Sequence, residues 1–265
     1  MSQAITIVDA FTDRPFAGNP AAVCILEAPG PDAWLADVAR EMNLSETAFL
    51  LSEHDAWRLR WFTPAVEVDL CGHATLASAH VLFDTGLVAP GEEAVFETRS
   101  GRLSARRNRD RIDMDFPAEP ATEASPPAGL IEALDVRPLW TGRNRFDWLI
   151  ELGSEREVRA LTPDFGRLRT FDTRGVIVTA PAETEHDFVS RFFAPAVGVD
   201  EDPVTGSAHC CLGPFWVERL GRTELAGYQA SRRGGRVHVA VHGDRVTLSG
   251  HAVTVLRGTL DAAAS

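Results

Sequence analysis

Short runs of apolar and β-branched residues alternate with polar ones through most of this chain, and they set out a β-rich framework. Residues 5–11, 21–26, 47–51, 94–98, 111–116, 176–179, 237–241 and 246–248 read as strands. The runs 57–62 and 188–193 alternate in the same way, each ending shortly before a proline that stops strand pairing. Helical spacing is rarer. Residues 31–42 and roughly 130–133 read as surface helices. Residues 74–83 and 208–212 are small or apolar at nearly every position, the composition of a helix buried on all sides. The proline-rich stretch 117–127 reads as a linker, which predicts lobes over 1–117 and 118–265. The last strand, 252–256, is left open between the two lobes.

A repeat underlies this pattern. Residues 60–69 are RWFTPAVEVD and residues 191–200 are RFFAPAVGVD, identical at seven of ten positions with an offset of 131 in a chain of 265. Each copy runs into a glycine that opens an apolar helix, Gly72-His73 in the first and Gly206-Ser207 in the second. The offset has by then grown to 134, so the second copy holds three extra residues, and Asp202 is placed in that extra loop. The expected architecture is two similar lobes, each a sheet wrapped on a buried helix.

Charge and composition narrow the function. A net charge of −12 excludes a cationic nucleic-acid surface. The clusters Arg106-Arg107-Asn108-Arg109 and Arg232-Arg233 are too short to change that and read as solvated strand or loop residues. No stretch is long and apolar enough for a membrane helix. The N-terminus lacks the basic and apolar regions of a signal peptide, so a cytoplasmic protein is expected. The four cysteines, Cys24, Cys71, Cys210 and Cys211, have no C-x-x-C spacing and read as reduced, buried thiols. All 26 basic residues counted as Lys or Arg are Arg. Without a lysine, neither a pyridoxal Schiff base nor a Walker A loop is available.

Several residues could carry chemistry. The starts of the two buried helices present free amides and partial positive charge, suited to a substrate carboxylate at Gly72 and Gly206. Glu46 stands at the edge of an apolar strand, where burial favours an acid/base role; a capping or turn role is the alternative. Asp202 precedes a proline and is otherwise an ordinary turn residue. His73, at a buried helix start, is expected to be a neutral imidazole that hydrogen-bonds or shuttles a proton. His238 and His242 share one strand face without a third ligand nearby, so no metal is expected. His209 reads as a satisfied core residue.

The runs Asp9-Ala10-Phe11-Thr12 with residues 16–23, Asn43-Leu44-Ser45-Glu46-Thr47, Leu70-Cys71-Gly72-His73-Ala74-Thr75 and residues 201–208 resemble, in order, the PhzF-like phenazine-biosynthesis isomerase family. The resemblance covers essentially the whole chain. It implies an α+β, diaminopimelate-epimerase-like fold of two pseudo-symmetric lobes, each a barrel-like, mixed, mainly antiparallel sheet around a central helix, in a homodimer. It also implies a cofactor-free isomerase, resembling dihydro-hydroxyanthranilate isomerase, acting on a small carboxylate-bearing metabolite in the interlobe cleft. Glu46, His73 and Asp202 would be the catalytic residues, and Gly72, Gly206, Ser207 and Asn19 would bind substrate. Two-cysteine epimerases of the same fold place a thiol at each helix start; here Cys71 holds the first such position and Thr205 the second. Cys71 therefore reads as a packed helix-start residue, with a one-thiol epimerase as an alternative. A non-catalytic protein that binds a small anion on the same fold is the other.

Overall fold

In a computed structural model of the chain, residues 2–183 and 185–261 are described. The chain divides into two compact units, residues 1–115 with 249–265, and residues 116–248. The strand expectations hold, with more strands than the apolar pattern showed.

The first unit contains β1 (Gln3–Ala10), β2 (Asn19–Leu26), α1 (Asp32–Met42), β3 (Glu46–Glu53), β4 (Ala56–Phe62), β5 (Glu67–Val68), α2 (Gly72–Asp84), β6 (Glu93–Thr98), β7 (Gly101–Asn108) and most of β8 (Arg111–Pro117). The second contains β9 (Thr122–Glu123), α3 (Leu130–Leu134), β10 (Trp140–Arg143), β11 (Asp147–Glu151), α4 (Glu155–Ala160), α5 (Phe165–Leu168), β12 (Gly175–Pro181), β13 (Phe188–Phe193), α6 (Gly206–Leu220), β14 (Glu224–Gln229), β15 (Gly235–His242) and most of β16 (Arg245–Gly250). The last strand, β17 (Ala252–Leu260), belongs to the first unit and pairs antiparallel with β1 along its whole length.

Strand pairing repeats in the two units. In the first, β17–β1 and β1–β2 are antiparallel, β2–β3 parallel, β3–β4 antiparallel, β4–β6 parallel and β6–β7 antiparallel. In the second, β9–β10 and β10–β11 are antiparallel, β11–β12 parallel, β12–β13 antiparallel, β13–β14 parallel and β14–β15 antiparallel. The duplicated sequence is thus a duplicated topology. The sheet does not close into a barrel.

Each parallel pair needs a helical crossover. In the first unit, α1 joins β2 to β3 and buries Leu35, Val38 and Ala39 against Cys24, Phe49 and Phe62. Asn43, in the left-handed region at φ 49°, ends it with its amide on the Ala39 carbonyl. The second crossover carries α2, buried from His73 to Phe83 except at His80. That helix packs on β1, β2, β3, β6, β7 and β17. In the second unit, Leu130, Ala133, Val158 and Leu168 of the short helices cover Trp148, Ile150, Val176 and Val178.

Two expectations need correction. The helix expected over 208–212 runs from Gly206 to Leu220, straight through Pro214. Proline has no amide to give the Cys210 carbonyl four residues back, but the Glu119 amide donates to that carbonyl at 3.0 Å. The expected linker is therefore part of the second unit. Its Ala118 amide bonds the Asp244 carbonyl, its Thr122–Glu123 strand pairs with β10, and the Ala124 carbonyl accepts from Thr141 Oγ1.

The extra residues of the second copy also fall elsewhere than expected. Arg60 forks onto Glu67 through Nε and Nη2, both at 2.7 Å, and Arg191 forks onto Glu201 at 2.7 and 3.0 Å. Each guanidinium also lies over a phenylalanine two residues on, Phe62 or Phe193. Matching the two forks aligns Glu67 with Glu201, so the insertion is residues 198–200. Asp202 follows the insertion and stands where the first copy has Val68.

Candidate active site

The parallel register of β2 and β3, with Ala21 opposite Glu46, brings the starts of both strands to one end of the first unit. Gly18 sets the turn into β2. Its φ is 65°, and a Cβ there would lie 2.1 Å from the Ala10 carbonyl oxygen, so only glycine fits. Asn19 follows and is fully buried. Glu46 is itself the first residue of β3, rather than preceding it. The α2 helix begins at the same end, with Cys71 as its extended N-cap (φ −145°) and Gly72 and His73 in its first turn.

Five side chains meet there. His73 Nε2 lies 3.1 Å from Glu46 Oε2, a close contact without in-line hydrogen-bond geometry. His73 Nδ1 lies 3.1 Å from Asn19 Nδ2, and Asn19 Oδ1 accepts a hydrogen bond from Ser45 Oγ at 3.1 Å. Cys71 Sγ is 3.5 Å from His73 Nδ1. Burial pushes the His73 proton affinity down to about 3, so the ring is neutral near pH 7. The Glu46 side chain keeps 17% of its surface exposed, so a carboxyl sits at the mouth of a buried polar assembly.

In the second unit the corresponding helix start is built differently. Thr205, also extended (φ −114°), is the N-cap of α6, with Gly206 and Ser207 beginning the helix. Its hydroxyl donates to Asp202 Oδ2. Gln229, fully buried, accepts from the Thr205 amide at 2.8 Å and donates to the Asp202 carbonyl at 2.7 Å. The Asp202 carboxylate is thereby held at the start of α6 by the Thr205 hydroxyl, while Gln229 ties the Thr205 amide to the Asp202 main chain.

Asn19, Glu46, Gly72 and His73 thus come together in the first unit, and Asp202, Gly206 and Ser207 in the second. Sequence reasoning missed Ser45, whose hydroxyl donates to Asn19 Oδ1, and Gln229, which no local pattern marks. Gln229 reaches Asp202 only because β14 pairs with β13, Ser190 opposite Gln229. His209 is a correction: Nδ1 donates to the Thr205 carbonyl at 2.8 Å, but Nε2 is buried with no hydrogen-bond partner. Its place on α6 in an apolar setting holds its proton affinity down to about 4.

Among the described residues, Glu46, Cys71 and His73 form the group compact enough to hold a metal ion, their ligand atoms lying within 4.8 Å of one another. An imidazole, a thiol and a carboxylate suit a soft divalent cation. His238 and His242 belong to no such group. A hollow lined by Pro29, Leu35, Phe49 and Arg60 includes none of Asn19, Glu46, His73 and Asp202.

Residues 8–258 match the family described as phenazine biosynthesis-like protein. An uncharacterized isomerase of Halalkalibacterium halodurans is 54% identical over 98% of this chain and 99% of its own length. The crystal structure of a PhzF-family phenazine biosynthesis protein from Enterococcus faecalis superposes with a TM-score of 0.94 at 42% identity, covering 98% of this chain and 99% of that one. A hydroxyproline epimerase from Agrobacterium vitis, 12% identical, shares the fold with a TM-score of 0.62 over 98% of this chain and 92% of that one.

Proposed function

This chain belongs to the phenazine biosynthesis-like family and is an isomerase, and from that premise we propose that it moves a proton between two carbons of a small carboxylate-bearing metabolite without a cofactor. Glu46 takes the proton from one carbon and returns it to another, while the electron pair shifts through the adjacent double bond. Nothing is oxidised or reduced, and the enzyme ends in its starting form. His73 lies beside Glu46 as a neutral imidazole. Asp202 assists the transfer, and the helix-start groups at Gly72, Gly206 and Ser207 hold the substrate carboxylate.

One observation carries this reading: a partly exposed carboxylate 3.1 Å from a buried, neutral imidazole, at the first turn of a buried helix. A general base needs a positioned carboxyl with access to substrate, and a neutral histidine neighbour does not cancel its charge as a cation would.

A panel of small cyclic and amino carboxylates tests the reading. Glu46→Gln is expected to lower turnover about 10²- to 10⁴-fold while ligand-induced thermal stabilisation persists. Turnover at the native rate in that variant would remove Glu46 from the reaction. Stabilisation of the native chain with no turnover of any compound would favour the anion-binding alternative.

A second reading rests on Cys71, whose sulfur lies 3.5 Å from the same imidazole. There the thiol, rather than the carboxyl, carries the proton, as in a one-thiol epimerase.

A further inference from the structure

We infer that Asn19 is a positioning residue, which holds His73 in the tautomer protonated at Nε2, the nitrogen on the Glu46 side of the ring. The Asn19 side chain is fully buried and spans Ser45 and His73. Its effect on turnover rests on the reading of Glu46 given above, whereas the tautomer itself does not.

Ser45, Asn19, His73 and Glu46 form a chain of four side chains. The Ser45 hydroxyl donates to Asn19 Oδ1, and the Asn19 NH2 lies 3.1 Å from His73 Nδ1. An amide NH2 can only donate, so Nδ1 must carry its lone pair. The Cys71 thiol, 3.5 Å from the same nitrogen, is a weak donor and agrees with that assignment. A neutral ring has one proton, and it is then on Nε2, 3.1 Å from Glu46 Oε2.

The opposite amide orientation fits less well. It would place Oδ1 against an Nδ1–H and leave a bare Nε2 lone pair facing a carboxylate oxygen, two acceptors at 3.1 Å. Orientation of a histidine through its remote nitrogen is how acid/base sites fix which face of the ring does chemistry. Here the remote partner is a neutral amide, so it fixes the tautomer without drawing a proton onto the ring. His73 can therefore steady Glu46 but cannot accept a proton from it through Nε2.

Nitrogen-15 NMR of the histidine-labelled full chain reads the tautomer directly, with His73→Gln assigning the signal. The native chain at neutral pH is expected to show Nδ1 unprotonated and Nε2 protonated. The reverse pattern in the native chain overturns the inference, and this arm needs neither turnover nor a stable Asn19 variant. Asn19→Asp, which preserves shape but can only accept, is expected to move a proton onto Nδ1 and to slow proton exchange into substrate about tenfold or more, the scale of one misdirected charge-assisted hydrogen bond. In a His73→Gln background the same substitution is expected to have no further effect on rate. An equal loss in both backgrounds would mean that Asn19 acts other than through His73. Should Glu46→Gln prove fully active while the native tautomer is as stated, the reading of Glu46 fails and the positioning by Asn19 stands.

Discussion

At the scale of single residues, the two helix-start histidines make stability depend on pH. His73 and His209 are fully enclosed, and burial lowers them from the ordinary 6.5 to about 3 and about 4. In the unfolded chain they take up protons near 6.5, well before the folded chain does. Stability contributed by their neutral forms is therefore fully present above about 6.5 and is lost as pH falls toward 4 and 3, because the unfolded state then binds more protons. Urea midpoints measured across that window are expected to decline with acid, and the decline is expected to flatten in His209→Gln, whose amide cannot be protonated there. An unchanged acid slope in that variant would mean the His209 ring is protonated in the fold. The sequence made His73 legible, since an imidazole in the first turn of an all-apolar helix has few other uses. His209 was legible as buried but not as half-satisfied, because its orphan Nε2 depends on side chains far off in sequence.

Among the elements, α6 shows most clearly where local pattern falls short. Its apolar run breaks at Pro214, so a local reading ends the helix there. The break is bridged from outside by the Glu119 amide on the Cys210 carbonyl, within a proline-rich segment that reads locally as a tether. Glu119→Pro deletes that amide and is expected to cost about 1–3 kcal/mol in urea unfolding. Glu119→Ala, which keeps the amide and loses an exposed pairing with Arg145, is expected to cost less than about 1 kcal/mol. Equal losses would show that the carbonyl does not need this donor. Strands β7 and β14 escaped the apolar pattern for equally local reasons. The sequence of β7 is arginine-rich with few buried positions. Gly227 in β14 is required because a Cβ there would lie 2.4 Å from the Phe188 ring. The Arg60–Glu67 and Arg191–Glu201 forks were likewise hidden, because the repeat as read sets Glu67 opposite Gly198, and they correct its alignment.

Over the whole molecule, duplication explains both how much could be read in advance and where the chemistry diverges. The repeated decamer announced two units of one topology, and the six successive strand pairings that they share follow it. Long-range pairing hid the rest: β17 returns to β1 after the entire second unit, and nothing in its own residues declares that destination. The two copies then part at their helix starts, where Cys71 of one answers to Thr205 of the other. That asymmetry favours a carboxyl over a pair of thiols as the proton carrier. Solvent deuterium incorporation into a turned-over carboxylate, compared in Cys71→Ser and Glu46→Gln, tests it most directly. Incorporation that persists in Cys71→Ser and vanishes in Glu46→Gln is the expected result; incorporation that vanishes with the thiol and survives loss of the carboxylate would contradict the account.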